Sequence, residues 1–423
     1  MQILLINDNS AQLNWGSQAS PPSLISILTG AMPDSTIRAV PYAWLKYPYR
    51  KMRARLGRRL IREIKWHGIG RILYQYSKTA SYFPEVADDF DYWADEWLAG
   101  RGGPQGKEYL TLAETADIVV YNGENSIYRN TTEGCHGIFL LWLTKTRLGK
   151  PSCIVNFTAH LNDVRPIMSG MAKLVFPALD LVAVREPRSL LNLRSLGIKN
   201  GEVFPDVVFS QRPGNFSRRR VDEWRLRNGL NDQKYFCISG SGLPASVPRG
   251  AWDGEVTALV RDLKASGLQA VLVAKDPKCQ FLAEVAKRTR SLFFGPEHEF
   301  YDLWPLFEGA SFLVTGHYHY VIFGAMVGCP FIPLSVNNHK MQGVCEHLGW
   351  DRTVPFDITM LRGCRGEIVD EARRLRDNRA NLSTYLLERS SVLQGEAKQL
   401  GVRVSESIRR VEGCCTTVTV TRP

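Results

Sequence analysis

FLVTGHYHYVIFGAMVGCPFIPLS, running from Phe312 to Ser335, passes from strand to helix to strand within 24 residues. Phe312–Val314 and Phe331–Leu334 are short apolar runs, and between them His317-Tyr318-His319 opens a helix whose IFGAMVG tail is small enough to lie close on a sheet. A strand, a helix and a strand in that space make a βαβ unit with parallel strands. The histidines then stand at the carboxyl edge of a sheet, where ligands of such folds bind.

The same alternation extends outward. Ile3–Ile6, Ile118–Tyr121, Cys153–Phe157, Leu181–Val184 and Val203–Phe204 are apolar runs in the first half. Tyr235–Ile238, Ala270–Ala274, Leu292–Phe294 and the two runs above occupy the second. Helical patterns separate them, so an α/β fold of two Rossmann-like lobes with parallel sheets is expected. A polar, Pro/Gly-containing, basic segment near Gln211–Ser217 reads as the link. The expected organisation is an N-terminal lobe over 1–214 with a basic insertion at 46–76, a C-terminal lobe over 215–395, and a helix and tail over 396–423.

At 423 residues, with 44% hydrophobic and 22% charged residues, the chain is long enough for two cores and is neither disordered nor fibrous. No run of ~18 apolar residues and no signal peptide is present, which points to the cytoplasm. Nine scattered cysteines without CxxC spacing fit neither a disulfide framework nor a zinc site. Of the net charge of +11, the stretch Lys46–Arg71 carries most, with ten Lys or Arg against Glu63. That stretch reads as a basic amphipathic segment for an anionic membrane surface at the inner face of the cell membrane or an acidic glycan, or as a solvated helix neutralised by Glu85–Glu96. No nucleic-acid motif accompanies it, and a homo-oligomer is compatible with the sequence.

Candidate functional residues follow the strands. After the first, Asn14, Trp15, Gly16 and Ser17 fill a loop ahead of a helix expected from Ser20 with Pro21 in its first turn; they offer close backbone approach and hydrogen bonds to an acceptor, or ordinary capping. After the second, Asn122 and Gly123 turn the chain, Glu124 is placed as a general base for a hydroxyl, and Ser126 lies close by. Pro187 starts a helix, so Arg185 and Ser189 sit near its N-terminus, where the arginine grips a phosphate or carboxylate or pairs with Glu186 or Asp206.

In the second half Ser239, Gly240, Ser241 and Gly242 form a loop permissive for anionic oxygens, without the lysine of a Walker motif. Asn337, Asn338, His339 and Lys340 follow the last strand toward the same cleft, and Lys275, which ends another, reads as a surface lysine. His317 and His319 lack a third metal ligand and project in different directions, so no metal is expected there. One histidine facing the cleft, with the other packing or binding an anion, accounts for the pair, and histidine suits proton exchange near neutrality.

Taken in order, NWGSQAS (14–20), NGENS (122–126), VREPRSLLNLRSLGI (184–198), FPDVVF (204–209) and GHYHYVIFGAMVGCPF (316–331) with SVNNHK (335–340) resemble the polysaccharide pyruvyl transferase family. The resemblance implies a two-lobed architecture similar to glycosyltransferase B, and transfer of pyruvate from phosphoenolpyruvate to two sugar hydroxyls as a ketal. It implies no cofactor beyond that donor, and an acceptor glycan or lipid-linked oligosaccharide of a surface polysaccharide.

Carried over, the family's VRE arginine is Arg185, its aspartate Asp206 and the histidine of its RxH motif His319. Arg185, Ser189, Ser239, Gly240, Ser241, His317, Tyr318, Asn337 and Lys340 then bind the donor, and Asn14–Ser17, Asn122 and Ser126 bind the acceptor. His319 protonates the methylene carbon or hydrogen-bonds the phosphate, while Glu124 or Asp206 takes the hydroxyl proton. The sequence departs from the pattern at His317, where the motif has arginine, and at Asn125, where relatives have glycine. The competing expectations are a nucleotide-sugar glycosyltransferase of B type, with Glu346 its one ribose-binding candidate in Val344–Trp350, and a non-catalytic relative.

Overall fold

The computed structural model describes residues 1–45, 82–128, 130–161, 166–240, 249–275, 279–335 and 339–415. The basic insertion expected at 46–76, and the candidates Ser241, Gly242, Asn337 and Asn338, lie outside the described residues. Among the described residues no helix is long and apolar enough to cross a membrane.

Two six-stranded parallel sheets form the two lobes. The first comprises β1 (Gln2–Asp8), β2 (Thr36–Pro41), β3 (Ile118–Asn122), β4 (Ser152–Phe157), β5 (Leu181–Val184) and β6 (Gly201–Val203), in the order β2-β1-β3-β4-β5-β6. The second comprises β7 (Tyr235–Ser239), β8 (Gln269–Val273), β9 (Leu292–Phe294), β10 (Leu313–Thr315), β11 (Phe331–Ser335) and β12 (Phe356–Asp357), in the order β12-β11-β10-β7-β8-β9. The inner strands are apolar throughout because helices cover both faces, and β3, β4, β5 and β7 are buried at every position. Both outer strands absent from the sequence reading, β2 and β12, are edges; β2 buries only Val40, so no apolar run marks it.

Each sheet reverses direction once, between β1 and β3 in the first and between β7 and β10 in the second. Connections leave in opposite directions at such a point and open a crevice beyond the strand ends. The strand ends, loops and first helical turns that flank the two reversals carry Asn9 to Gly16 and Glu124 on one side, and Ser239, Gly240 and His317 to His319 on the other.

Four helices fix the lobes around this crevice: α1 (Trp15–Ala31), α2 (Pro187–Ser195), α3 (Tyr318–Met326) and α4 (Lys340–Leu348). A fifth, α5 (Arg379–Cys415), runs unbroken through 395/396, so the expected segment border there falls inside one helix. Arg379 ties its start to the Ala310, Gly328 and Glu308 carbonyls. Leu386, Leu393 and Ala397 then pack in the second-lobe core, and Leu400 and Val404 pack in a cluster with Ile3 and Leu5 of β1.

Helix α1 begins five residues earlier than expected, because the Asn14 side chain caps it by accepting from the Gly16 amide at 2.8 Å. Pro21 and Pro22 consequently lie inside the helix and not in its first turn. Trp15, the first helical residue, is fully buried in the core of the opposite lobe, donating Nε1–H to the His298 carbonyl at 3.1 Å and packing on Phe294 and Tyr320. Lys275, read as a surface lysine, is buried beside it and donates to Gln18 Oε1 and the His298 carbonyl, both at 3.2 Å. The lobes also meet at Gly343, where any Cβ would come within 2.6 Å of Glu186 Cβ, and at the Arg188–Glu346 pair of 2.8 Å.

Candidate functional site

The center of the crevice is a chain of charged side chains drawn from both lobes. Arg185 leaves the end of β5, its backbone turned by Glu186 in extended conformation just before Pro187 starts α2. Its Nη1 donates to Asp206 Oδ2 at 2.8 Å, and its Nε donates to Thr158 Oγ1 and Glu186 Oε1, both at 3.1 Å. The guanidinium carbon lies 4.3 Å from the center of the Tyr318 ring. Burial opposes the charged form, but Tyr318 and the Asp206 and Glu186 carboxylates outweigh it and hold the pKa above its ordinary value.

From the second lobe, His319 Nε2 stands 3.4 Å from the same Asp206 Oδ2. Asp206 thus lies between a guanidinium and an imidazole, with its other oxygen accepting from the Val208 amide at 2.9 Å. Burial pushes its pKa up, but His319, Arg185 and that amide pull harder and set it at about 2. Glu186 accepts from Thr158 and Ser189, each at 2.7 Å, and burial pushes its pKa up. His319 lies against α1 where only glycine fits, since a Cβ on Gly16 would fall 2.8 Å from His319 Cβ and nearer still to its ring.

On the other side of the crevice Glu124 is buried and its Oε2 accepts from Asn9 Nδ2 and from Ser17 Oγ, the latter at 3.3 Å. The next residue, Asn125, has φ 59°, a left-handed backbone that favours glycine and that asparagine tolerates best among the rest. Asparagine at this position answers that requirement.

In the second lobe Ser239 Oγ and Thr315 Oγ1 share a hydrogen bond of 2.5 Å, and Gly240 lies against Cys279. Half-buried His317 caps α3 by backbone alone and places Nε2 3.4 Å from Cys279 Sγ. His339 contacts Ser189 Oγ at 3.1 Å across the lobes; burial first, then His160, Arg188, Arg185 and Lys340, lower its pKa to about 4.

A model of the polysaccharide pyruvyl transferase family matches residues 24–338. The chain belongs to that family. The sequence matches none of the curated proteins compared with it. Among solved structures, the S. aureus MnaA–UDP co-structure is similar over 99% of this chain and 98% of its own, with TM-score 0.56 and 13% identity. The UDP-GlcNAc 2-epimerase of Neisseria meningitidis bound to UDP-GlcNAc covers 96% and 100%, with TM-score 0.55 and 10% identity. A glycosyltransferase from Rickettsia africae covers 98% and 99%, at TM-score 0.53 and 10% identity. These likenesses establish the two-lobed glycosyltransferase B fold expected of a pyruvyl transferase relative.

Many of the expected site residues have partners within the protein. Arg185 is spent on carboxylates of its own lobe, so a bidentate grip on a substrate anion would require it to leave Asp206 or Glu186. Asn14 caps α1 through its Oδ1, and Trp15 is a buried wedge in the opposite lobe. Ser17 serves Glu124. Buried Asn122 is bound to Ser20, Asn156 and the Glu124 amide, and buried Ser126 to Tyr121 and the Gly123 carbonyl. Ser189 holds Glu186 and the Ala159 amide. Tyr318 forms the bed under Arg185, and Lys340 begins α4. Asn9 and Thr158 were not anticipated, although both directly follow strands, where the same rule that found Glu124 would have flagged them.

Proposed function

We propose that this pyruvyl transferase family member moves pyruvate from phosphoenolpyruvate to two hydroxyls of a surface glycan or its lipid-linked precursor, forming a cyclic ketal and releasing phosphate. The observation that supports it best is the shared contact of Arg185 and His319 on Asp206 Oδ2, at 2.8 and 3.4 Å. It unites a permanent cation, an anion and a proton carrier from two lobes at the strand ends.

In this reading His319 protonates the methylene carbon, and Asp206 stabilises the imidazolium before the transfer. The cationic carbon so formed is attacked by one sugar oxygen, whose proton passes to Glu124; the second hydroxyl displaces phosphate, which leaves with the remaining proton. Arg185 acts through the field it sets and by holding Asp206. In this reading the phosphate and carboxylate meet the first turns of α3 and α4, where His317 and Lys340 stand.

Phosphoenolpyruvate at 100 times its Kd should stabilise the protein by about 2.7 kcal/mol, read as a rise in Tm. UDP-sugars should give no rise. The rival nucleotide-sugar reading would be favoured by the reverse pattern, and its ribose candidate Glu346 is already paired with Arg188. Replacing His317 by arginine restores the permanent cation of the family motif, and one added charge-assisted hydrogen bond should lower KM for phosphoenolpyruvate roughly tenfold. Phosphate release measured with and without that change checks it, and a non-catalytic relative would release none in either form.

A further inference from the structure

Two asparagines at the end of β1 converge on the Glu124 turn. Asn7, at φ 72°, donates Nδ2–H to the Asn122 carbonyl at 2.5 Å and to the Glu124 carbonyl at 3.2 Å, which fixes the backbone of the turn. Asn9, 1% exposed, donates instead to the Glu124 carboxylate, at Oε2. Ser17 binds that same oxygen from α1, and among the described residues no hydrogen bond reaches Oε1. Asn9 Oδ1 is itself buried with no hydrogen-bond partner among the described residues. A leucine or alanine would avoid that cost, so the amide is not explained by packing. Its one engaged group is the Nδ2–H on Glu124.

We infer that Asn9 is a positioning residue that holds Glu124 by Oε2 and thereby presents Oε1 to the acceptor hydroxyl. The inference rests on Glu124 as the base of the proposed reaction. A carboxylate rotating freely about its last bond would offer either oxygen at changing angles, whereas two donors on one oxygen leave the other aimed. Both donors are neutral, so neither brings a counter-charge to Glu124. Other groups in its field are Arg185 at the end of β5, Tyr318 on α3 and Tyr42 in the short helix Tyr42–Leu45. All three remain when Asn9 is changed.

The test uses the full chain. The infrared carboxylate bands of Glu124, assigned by their loss in Glu124→Gln, are compared in the wild type, Asn9→Ala and Asn9→Asp. Loss of the Asn9 donor on Oε2 makes the two oxygens more alike and should narrow the separation of the antisymmetric and symmetric stretches in both variants. Turnover of phosphoenolpyruvate should fall roughly tenfold in kcat with KM unchanged. Asn9→Asp keeps the shape of the side chain without its N–H and carries the test where Asn9→Ala fails to fold. A separation equal to that of the wild type in the folded variants overturns the inference. If the wild type releases no phosphate from phosphoenolpyruvate, the proposed reaction fails, while the infrared comparison still decides what Asn9 does.

Discussion

Asp206→Asn is expected to lower stability by about 3 kcal/mol at neutral pH and to remove most of the proposed transfer, because one buried oxygen serves both Arg185 and His319. Breaking a buried ion pair strands the remaining charge, typically at about 3–5 kcal/mol, and the lower end applies where Glu186 still contacts Arg185. The dependence on pH distinguishes this cause from a packing defect. The folded pKa of Asp206 is about 2 against an ordinary 3.8, so its ionised form stabilises the fold above pH ~4. That contribution, on the order of 2 kcal/mol, is lost as pH falls from about 4 through about 2. Glu186, whose pKa moves the other way, titrates in both proteins and largely cancels in the comparison. Melting temperatures of wild type and variant should therefore converge across that window. A gap that stays constant from pH 6 to pH 2 would mean that the charge of Asp206 contributes nothing.

How much of this arrangement could be read in advance depends on what kind of fact was sought. Ile118–Tyr121 or Leu181–Val184 declare themselves because a strand covered on both faces must be apolar throughout. Edge strand TIRAVP has no such need and stays silent. Position relative to a strand end was legible for Glu124, Arg185, Asp206 and His319, and these four do meet in one crevice. Partners were not legible. Whether Arg185 offers its guanidinium to a ligand or to Asp206, and whether Ser17 faces a sugar or Glu124, depends on distances of 3 Å set by residues 20 to 110 positions away. Trp15 shows the same limit, since an indole in a loop after a strand looks like a ligand platform until the opposite lobe is seen to enclose it.

Gly16→Ala should separate activity from stability more sharply than any other single change in this site. Inside a helix alanine is favoured over glycine by about 1 kcal/mol, and Gly30, in the same helix with nothing within 4 Å of its would-be Cβ, should gain that amount when replaced. At Gly16 the added methyl meets the His319 side chain, 2.8 Å from its Cβ and nearer to its ring. On its other sides His319 has Tyr318 packed edge-on at 5.1 Å and Asp206 Oδ2 3.4 Å from Nε2, which limits how far it can shift. Overpacking of this kind costs about 1–3 kcal/mol, partly offset by the helix preference, so the loss of stability should be about 2 kcal/mol or less. The proposed transfer is less forgiving, because moving a proton donor, the role proposed for His319, by about 1 Å costs on the order of 100-fold. Phosphate release should thus fall roughly 100-fold in Gly16→Ala and stay at the wild-type rate in Gly30→Ala, while the two melting temperatures differ by only a few degrees. Equal turnover in the two variants would show that the imidazole need not sit against the first turn of α1, and would remove His319 from the role of acid.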